Sequence, residues 1–343
     1  MRAMIMTAVA SFRENPSPLV MAELSDPAAA AGELLIRVGA CGVCHTELDE
    51  IEGRTPPPQL PMILGHQVVG RVESLGNDVE GFQIGDRVGV AWIFSACGHC
   101  EYCQRGEENL CAGFQGTGRD AHGGYAEMMT VPAAFAHPIP AAFTDAEAAP
   151  LLCAGAVGYR SLRLTGIRDG QNLGLTGFGA SAHLVLQLVR HQFPRTKVFV
   201  FARSEKERAF AKELGAAWAG DTMEPSPEKL HAIIDTTPVW TPIVEALKNL
   251  EPGGRLVINA IRKEEIDKES LLALQYPDHL WMEKEIKSVA NVTRVDVREF
   301  LPLAAAAGIK PEVEEYPLAE ANRALLELKE KHIRGAKVLR IGG

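Results

Sequence analysis

The sequence predicts an α/β chain of two domains, an irregular β-rich first domain followed by a doubly wound parallel sheet of the Rossmann type. Three observations carry that expectation. Gly177-Phe178-Gly179-Ala180-Ser181-Ala182, a G-x-G-x-x-A turn, sits between an apolar run at 172–176 and a segment that sets Ala182, Val185, Leu186 and Val189 on one helical face. From about 171 to about 290 strand-like and helix-like stretches alternate, the pattern of βαβ units. Residues 1 to about 153 instead run through short β-like stretches broken by Gly and Pro. A length of 343 residues suits about two domains, and 46% hydrophobic residues give each a core.

Taken in order, residues 1–10 read as a first strand, because Arg13 and Glu14 end the apolar run early and no small-residue cleavage site follows. Strands are expected at 33–38 and 67–72, with turns at Gly76-Asn77 and Gly85-Asp86. Thr144 and Glu147 are spaced as a capping box, which starts a helix. The strand at 172–176 leads into the glycine turn, and the helix after it ends before Pro194. A second strand spans 197–202 and a helix 204–214. The tail from 292 to 343 is long enough to return to the first domain. The expected division is therefore 1–153 completed by 290–343, and 154–289.

The glycine turn points to a dinucleotide. Gly177 and Gly179 let the backbone approach a pyrophosphate, Ala182 permits close helix packing, and the helix N-terminus offers free N–H groups. About 20 residues on, an NAD site carries an acidic residue on the ribose hydroxyls. Here that position is Ala202, followed by Arg203 and Ser204. The carboxylate that would repel a 2′-phosphate is absent and a guanidinium stands next to it, so NADP(H) is expected over NAD(H).

Cys97, Cys100, Cys103 and Cys111 form a C-x2-C-x2-C-x7-C run within fifteen residues. Four thiolates this close can surround one tetrahedral metal ion, zinc or iron, as a closed structural site. Disulfides belong to small secreted chains and are not expected. A net charge of −9 disfavours binding to a phosphate backbone, so nucleic acid is excluded as a partner. No apolar run nears the roughly 20 residues that span a bilayer, and with an odd number of thiols a reducing, cytoplasmic setting is expected.

Around the four-cysteine run stand Cys41-Gly42-Val43-Cys44-His45-Thr46-Glu47-Leu48-Asp49, then Leu64-Gly65-His66-Gln67, then Leu151-Leu152-Cys153-Ala154-Gly155. In this order the motifs resemble the zinc-dependent alcohol dehydrogenases of the medium-chain dehydrogenase/reductase superfamily, along essentially the whole chain. The resemblance implies a GroES-like catalytic domain with a Rossmann coenzyme domain, and reversible hydride transfer between an alcohol and a nicotinamide cofactor. It implies two zinc ions per chain, a catalytic one on Cys44, His66 and Cys153 and a structural one on the four-cysteine run. Thr46 matches the hydroxyl that accepts the alcohol's proton, and Glu47 the carboxylate that orients the metal-bound His. His45 and Arg334 match residues touching the pyrophosphate, while Trp92 and Ile93 are candidate pocket walls for which a plain core role is the favoured reading. Cys41 is left as a buried thiol. The implied partners are a small alcohol, aldehyde or ketone and further copies of the chain in a homodimer or homotetramer.

Two positions depart from the family pattern. Gln67 stands where a Glu usually follows the metal-binding His, and Asp49 where the proton relay usually ends in a His. A carboxylate with an ordinary pKa near 4 is a weaker proton acceptor near neutrality than an imidazole near 6.5. Two rivals share the fold: a zinc-free quinone or enoyl reductase, which lacks the Cys44, His66 and Cys153 set, and a zinc-bearing binding protein without turnover.

Overall fold

The computed structural model describes residues 1–330 and 335–342, and the chain divides into two compact units, Met1–Ala156 with Val292–Gly343, and Val157–Asn291. It is an α/β protein. The first unit is built around an eleven-residue strand, Glu33–Val43, which is buried at every residue except Glu33, Arg37 and Gly39. This strand pairs antiparallel with Val68–Leu75, with Met128–Pro132 and with Ala336–Arg340, so the C-terminal tail closes the sheet that the N-terminal half begins. Val313–Pro317 adds parallel to Ala336–Arg340 at one edge. Leu34, Ile36, Ile51, Ile63, Leu64 and Ile93 fill the core beneath.

The strand expected at 33–38 continues to Val43, through Gly39 and Gly42. Both lie inside the strand because side chains press on it. A Cβ on Gly42 would stand 2.4 Å from Gln67 Oε1, and one on Gly39 2.5 Å from Asp145 Oδ2. Glycine in a strand here marks close approach. The longer strand carries the chain directly to Cys44.

The capping box at Thr144 is present, with Glu147 N–H donating to Thr144 Oγ1 at 3.2 Å and Thr144 N–H to Glu147 Oε2 at 2.8 Å. It starts the helix Asp145–Pro150, which passes into a π-helical turn, Leu151–Gly155. Such single wide turns displace side chains from the regular helical path and recur at functional sites.

The second unit is a six-stranded, wholly parallel sheet. Its spatial order is Trp218–Gly220, Val198–Phe201, Leu173–Thr176, Leu230–Asp235, Leu250–Ile258 and Glu285–Ser288. That is the 3-2-1-4-5-6 order of a dinucleotide fold, which reverses between Leu173–Thr176 and Leu230–Asp235. Strand Val198–Phe201 is buried at every residue, as a strand covered on both faces must be. Phe199, Phe201, Ile233, Ile243, Leu247 and Leu256 pack one face of the sheet.

Candidate metal and cofactor sites

Strand Glu33–Val43 runs directly into Cys44, which caps the N-terminus of helix His45–Ile51. The Cys44 N–H donates to Glu47 Oε2 at 2.8 Å, tying the first turn to its own cap. His66 lies on the loop between Met62–Ile63 and Val68–Leu75, and Cys153 on the π-helical turn. Three remote segments thus bring one imidazole nitrogen and two sulfurs within 4.8 Å of one another, and His66 Nε2 is 3.3 Å from Cys153 Sγ. The other face of the imidazole is occupied by Glu47, whose Oε1 stands 2.6 Å from His66 Nδ1 as a close charge contact without the alignment of a good hydrogen bond. Carboxylate behind, imidazole between and thiols in front is the arrangement that fixes a histidine for metal binding.

The electrostatics fit a cation. Its hydrogen bond with Cys153 holds the Cys44 thiol well below its ordinary pKa against the opposing effect of burial, so one sulfur favours the thiolate. Burial lowers the affinity of His66 for a proton, but Glu47 and Cys44 outweigh it and the net shift is upward. The same negative surroundings favour a metal cation, which would compete with the proton for His66 and the thiols. Three protein donors leave a fourth position for water or substrate, the ligand count of a catalytic zinc.

Thr46, nearly buried, sets its Oγ1 3.7 Å from Cys44 Sγ. Asp49 is buried, with Oδ1 2.5 Å from Arg54 Nε, so a guanidinium holds its carboxylate. Gln67 is buried against Gly42, and the backbone of Gly42 donates to its carbonyl at 2.9 Å. Cys41 is buried, and desolvation beside Glu47 pushes its thiol well above the ordinary value. Sequence reasoning passed over Glu50, which is fully buried with neither carboxylate oxygen hydrogen-bonded. Desolvation, reinforced by Glu47, pushes its carboxyl far up. Trp92 is half-buried with its ring 4.9 Å from that of Phe114, and Ile93 is wholly buried.

The four-cysteine segment folds as a small lobe. Cys100 and Cys103 sulfurs are 3.6 Å apart, and those of Cys97 and Cys103 3.9 Å. Bonded sulfurs lie about 2.05 Å apart. A tetrahedron of Zn–S bonds near 2.3 Å has edges of about 3.8 Å, which these separations match. Backbone N–H groups of Cys100 and Gly113 point at the sulfurs of Cys97 and Cys111, at 3.4 and 3.2 Å, compensating thiolate charge. The lobe is anchored by Glu108, buried and 2.8 Å from Arg294 Nε, with the Arg294 guanidinium over the Phe135 ring at 4.8 Å.

In the second unit Gly177 has a φ of +75°, a conformation glycine adopts without strain, and a Cβ there would stand 2.9 Å from Thr236 Oγ1. Gly179 caps helix Ala180–Gln192, nothing crowds it within 4 Å, and Ala182 is wholly buried in the helix–sheet contact. Ala202 is buried at the end of the second strand, while Arg203 and Ser204 are exposed beyond it. Arg208 was not singled out from the sequence, yet its Nη1 donates to the carbonyls of Ala202 at 2.7 Å and Arg203 at 2.9 Å and so fixes the path of this turn. Glu205 and Glu207 in the helix's first turn put negative charge nearby. His45 is exposed at the head of its helix, and Arg334 lies outside the described residues.

A GroES-like β unit with one open and one closed donor set, and a Rossmann unit with its glycine turn intact, define a dehydrogenase architecture. Residues 30–141 match the alcohol dehydrogenase GroES-like domain. The probable alcohol dehydrogenase AdhA of Mycobacterium tuberculosis is 45% identical over 332 residues, which cover 95% of this chain and 94% of that protein. Among solved structures, a NAD-dependent alcohol dehydrogenase aligns over 100% of both chains with a TM-score of 0.86 at 25% identity. A cobalt- and zinc-bound thermostable alcohol dehydrogenase from Pyrobaculum aerophilum aligns over 99% of each chain with a TM-score of 0.85 at 26% identity. The chain belongs to the medium-chain alcohol dehydrogenase family, and it is an oxidoreductase. Among the described residues no helix is long and apolar enough to cross a membrane.

Proposed function

We propose that the chain interconverts an alcohol with an aldehyde or ketone, with a zinc ion on Cys44, His66 and Cys153 and a nicotinamide cofactor on the Gly177–Ala182 turn. The observation that carries this is the open three-donor set with Glu47 behind His66. When bound, zinc supplies Lewis acidity to an alcohol oxygen and the nicotinamide supplies a hydride acceptor. The substrate loses a proton from oxygen and a hydride from carbon, leaving a carbonyl. The Thr46 hydroxyl takes the proton, and Asp49, paired with Arg54, ends the relay toward solvent. Glu47 holds the His66 ring in the tautomer and direction a metal needs.

Met1–Ala156 with Val292–Gly343 serves as the catalytic domain and Val157–Asn291 as the dinucleotide domain. The four-cysteine lobe takes a second, structural zinc. His45, Gly177, Gly179, Ala182, Arg203, Ser204 and Arg334 act as cofactor contacts. NADP(H) is the preferred cofactor, since Ala202 offers no carboxylate and Arg203 is free to meet a 2′-phosphate. The protein is a cytoplasmic homodimer or homotetramer. Strand Glu285–Ser288, exposed along its length at the sheet edge, and the exposed Tyr276, Trp281 and Ile286 support self-association.

A panel of alcohols and carbonyls followed by nicotinamide absorbance with both cofactors tests this reading. Turnover is expected, with kcat/KM roughly ten- to a hundredfold higher for NADP(H), the scale of one charged hydrogen bond. Arg203→Ala should remove most of that advantage. No turnover with any alcohol in zinc-replete protein would refute the activity, and equal or better use of NAD would refute the preference alone.

A further inference from the structure

The carboxyl edge of the parallel sheet holds an ion pair that none of the roles above uses. Asp235, the last residue of strand Leu230–Asp235, is fully buried, and its Oδ2 lies 2.5 Å from the ammonium of Lys263, whose side chain is 8% exposed. Lys263 spends its other donors on backbone, giving hydrogen bonds to the carbonyls of Thr237 at 2.6 Å and Val239 at 3.1 Å. An ammonium has three donors, and all three are used. The second oxygen of Asp235 accepts from Thr176 Oγ1 at 2.6 Å and from Thr237 Oγ1 at 2.7 Å. Thr236 completes the knot by donating from Oγ1 to the Thr176 carbonyl at 2.9 Å.

The position of these bonds gives them a purpose. Thr176 is the last residue before the glycine turn, and Gly177 lies so close to Thr236 that no Cβ would fit without displacing it. The knot therefore clamps the loop after Leu230–Asp235 against the start of the turn, using a lysine that follows Leu250–Ile258. It stands where the strand order reverses, the crevice in which open α/β sheets bind dinucleotides. A buried ion pair adds little stability over apolar groups of similar size, so stability alone is a weak reason for it. A rigid anchor for backbone is a better one.

We propose that Asp235 and Lys263 are positioning residues for the dinucleotide: they fix residues 236–239 and the entry to the Gly177 turn in the conformation that receives the cofactor. Neither need touch it. The inference rests on the reading that this turn binds a nicotinamide dinucleotide.

The test measures NADH and NADPH binding to the full-length protein by nicotinamide fluorescence, alongside melting temperature and steady-state kinetics. Lys263→Met should weaken dinucleotide binding and raise its KM by about tenfold or more, the equivalent of at least ~1.4 kcal/mol, while kcat at saturating cofactor changes far less. It should also lower the melting temperature, because the Asp235 charge is left buried alone. Asp235→Asn with Lys263→Met removes both charges and should recover much of the melting temperature. It should not recover binding, because the Thr237 and Val239 carbonyls still lack their donor. Should Lys263→Met alone fail to fold, the double variant carries the test. Recovery of affinity together with melting temperature would show a purely structural pair and overturn the proposal, as would unchanged affinity in the variants. Failure of the unaltered protein to bind either dinucleotide would overturn the reading of the turn and this inference with it.

Discussion

Cys97, Cys100, Cys103 and Cys111 come from one fifteen-residue segment, so their sulfurs meet without a donor from any distant part of the chain. Cys44, His66 and Cys153 come from a helix cap, a loop and a π-helical turn remote in sequence, and they meet only because the Glu33–Val43 sheet is assembled. The lobe offers four sulfurs and backbone N–H groups, which saturates a tetrahedral ion. The other set offers three donors, buries a carboxylate against its histidine and places a threonine hydroxyl beside a sulfur. A local site can act as a rivet. A non-local site can leave one position open and still hold its shape, because the fold supplies the rigidity that a fourth ligand would have supplied.

The strongest way to break this comparison is to remove one sulfur from each site. Cys153→Ser should reduce alcohol oxidation to background, lose one zinc equivalent and leave the melting temperature close to that of the parent. Cys100→Ser should lose the other equivalent and destabilise the protein by several kcal/mol, a fraction of the roughly 10–16 kcal/mol that zinc brings to an isolated finger. Zinc content by elemental analysis, melting temperature and turnover on the two variants decide the matter. If both lose activity and stability equally, or if active protein carries fewer than two zinc ions, the division of labour is wrong.

Within the open site, Thr46→Val separates proton handling from metal holding. The substitution keeps the shape and deletes the hydroxyl, so oxidation should fall by about 10²–10⁴ with zinc content unchanged. A primary isotope effect with a deuterated alcohol establishes that hydride transfer limits the rate. Near-normal turnover under that condition would remove Thr46 from the relay.

The difference between the sites also decided what the sequence disclosed. The lobe and the Gly177–Ala182 turn each lie within one short stretch, and their spacing alone carried their chemistry. His66 and Cys153 were singled out only through the family resemblance, because a histidine after a glycine and a cysteine among Leu and Ala carry no local signal. The π-helical turn that aims Cys153 has no propensity signature either. Helix His45–Ile51 is buried from Thr46 to Ile51, so the amphipathic rhythm that would reveal a helix is missing and Glu50 looks like any surface carboxylate. The strand expected at 33–38 runs on through Gly39 and Gly42, which the side chains of Asp145 and Gln67 press upon, a contact that only the folded chain supplies. The Asp235–Lys263 knot joins a strand end to a loop beyond the next strand, a pairing that only topology supplies.

The smallest expected effect sharpens the comparison from the lobe's side, through a group that is not a metal donor. His137, on strand Ala136–Pro138, is buried and its Nε2 has no hydrogen-bond partner among the described residues. Burial, then the positive charges of Arg294 and Arg298, push its pKa down to about 4, against a smaller opposing pull from Glu108 of the lobe. The folded state thus resists a proton that the unfolded chain accepts near 6.5, so stability is whole above about pH 6.5 and declines toward pH 4 as the unfolded state gains protons. The loss from this one group reaches about 3 kcal/mol at the acid end. His137→Leu should flatten the fall in unfolding free energy between pH 7 and pH 5, measured by denaturant titration of both proteins with zinc present, while the remaining carboxylates and thiols contribute equally to each. If parent and variant fall in parallel, His137 is hydrated in solution and the acid sensitivity of this side of the unit arises at the lobe's own thiolates.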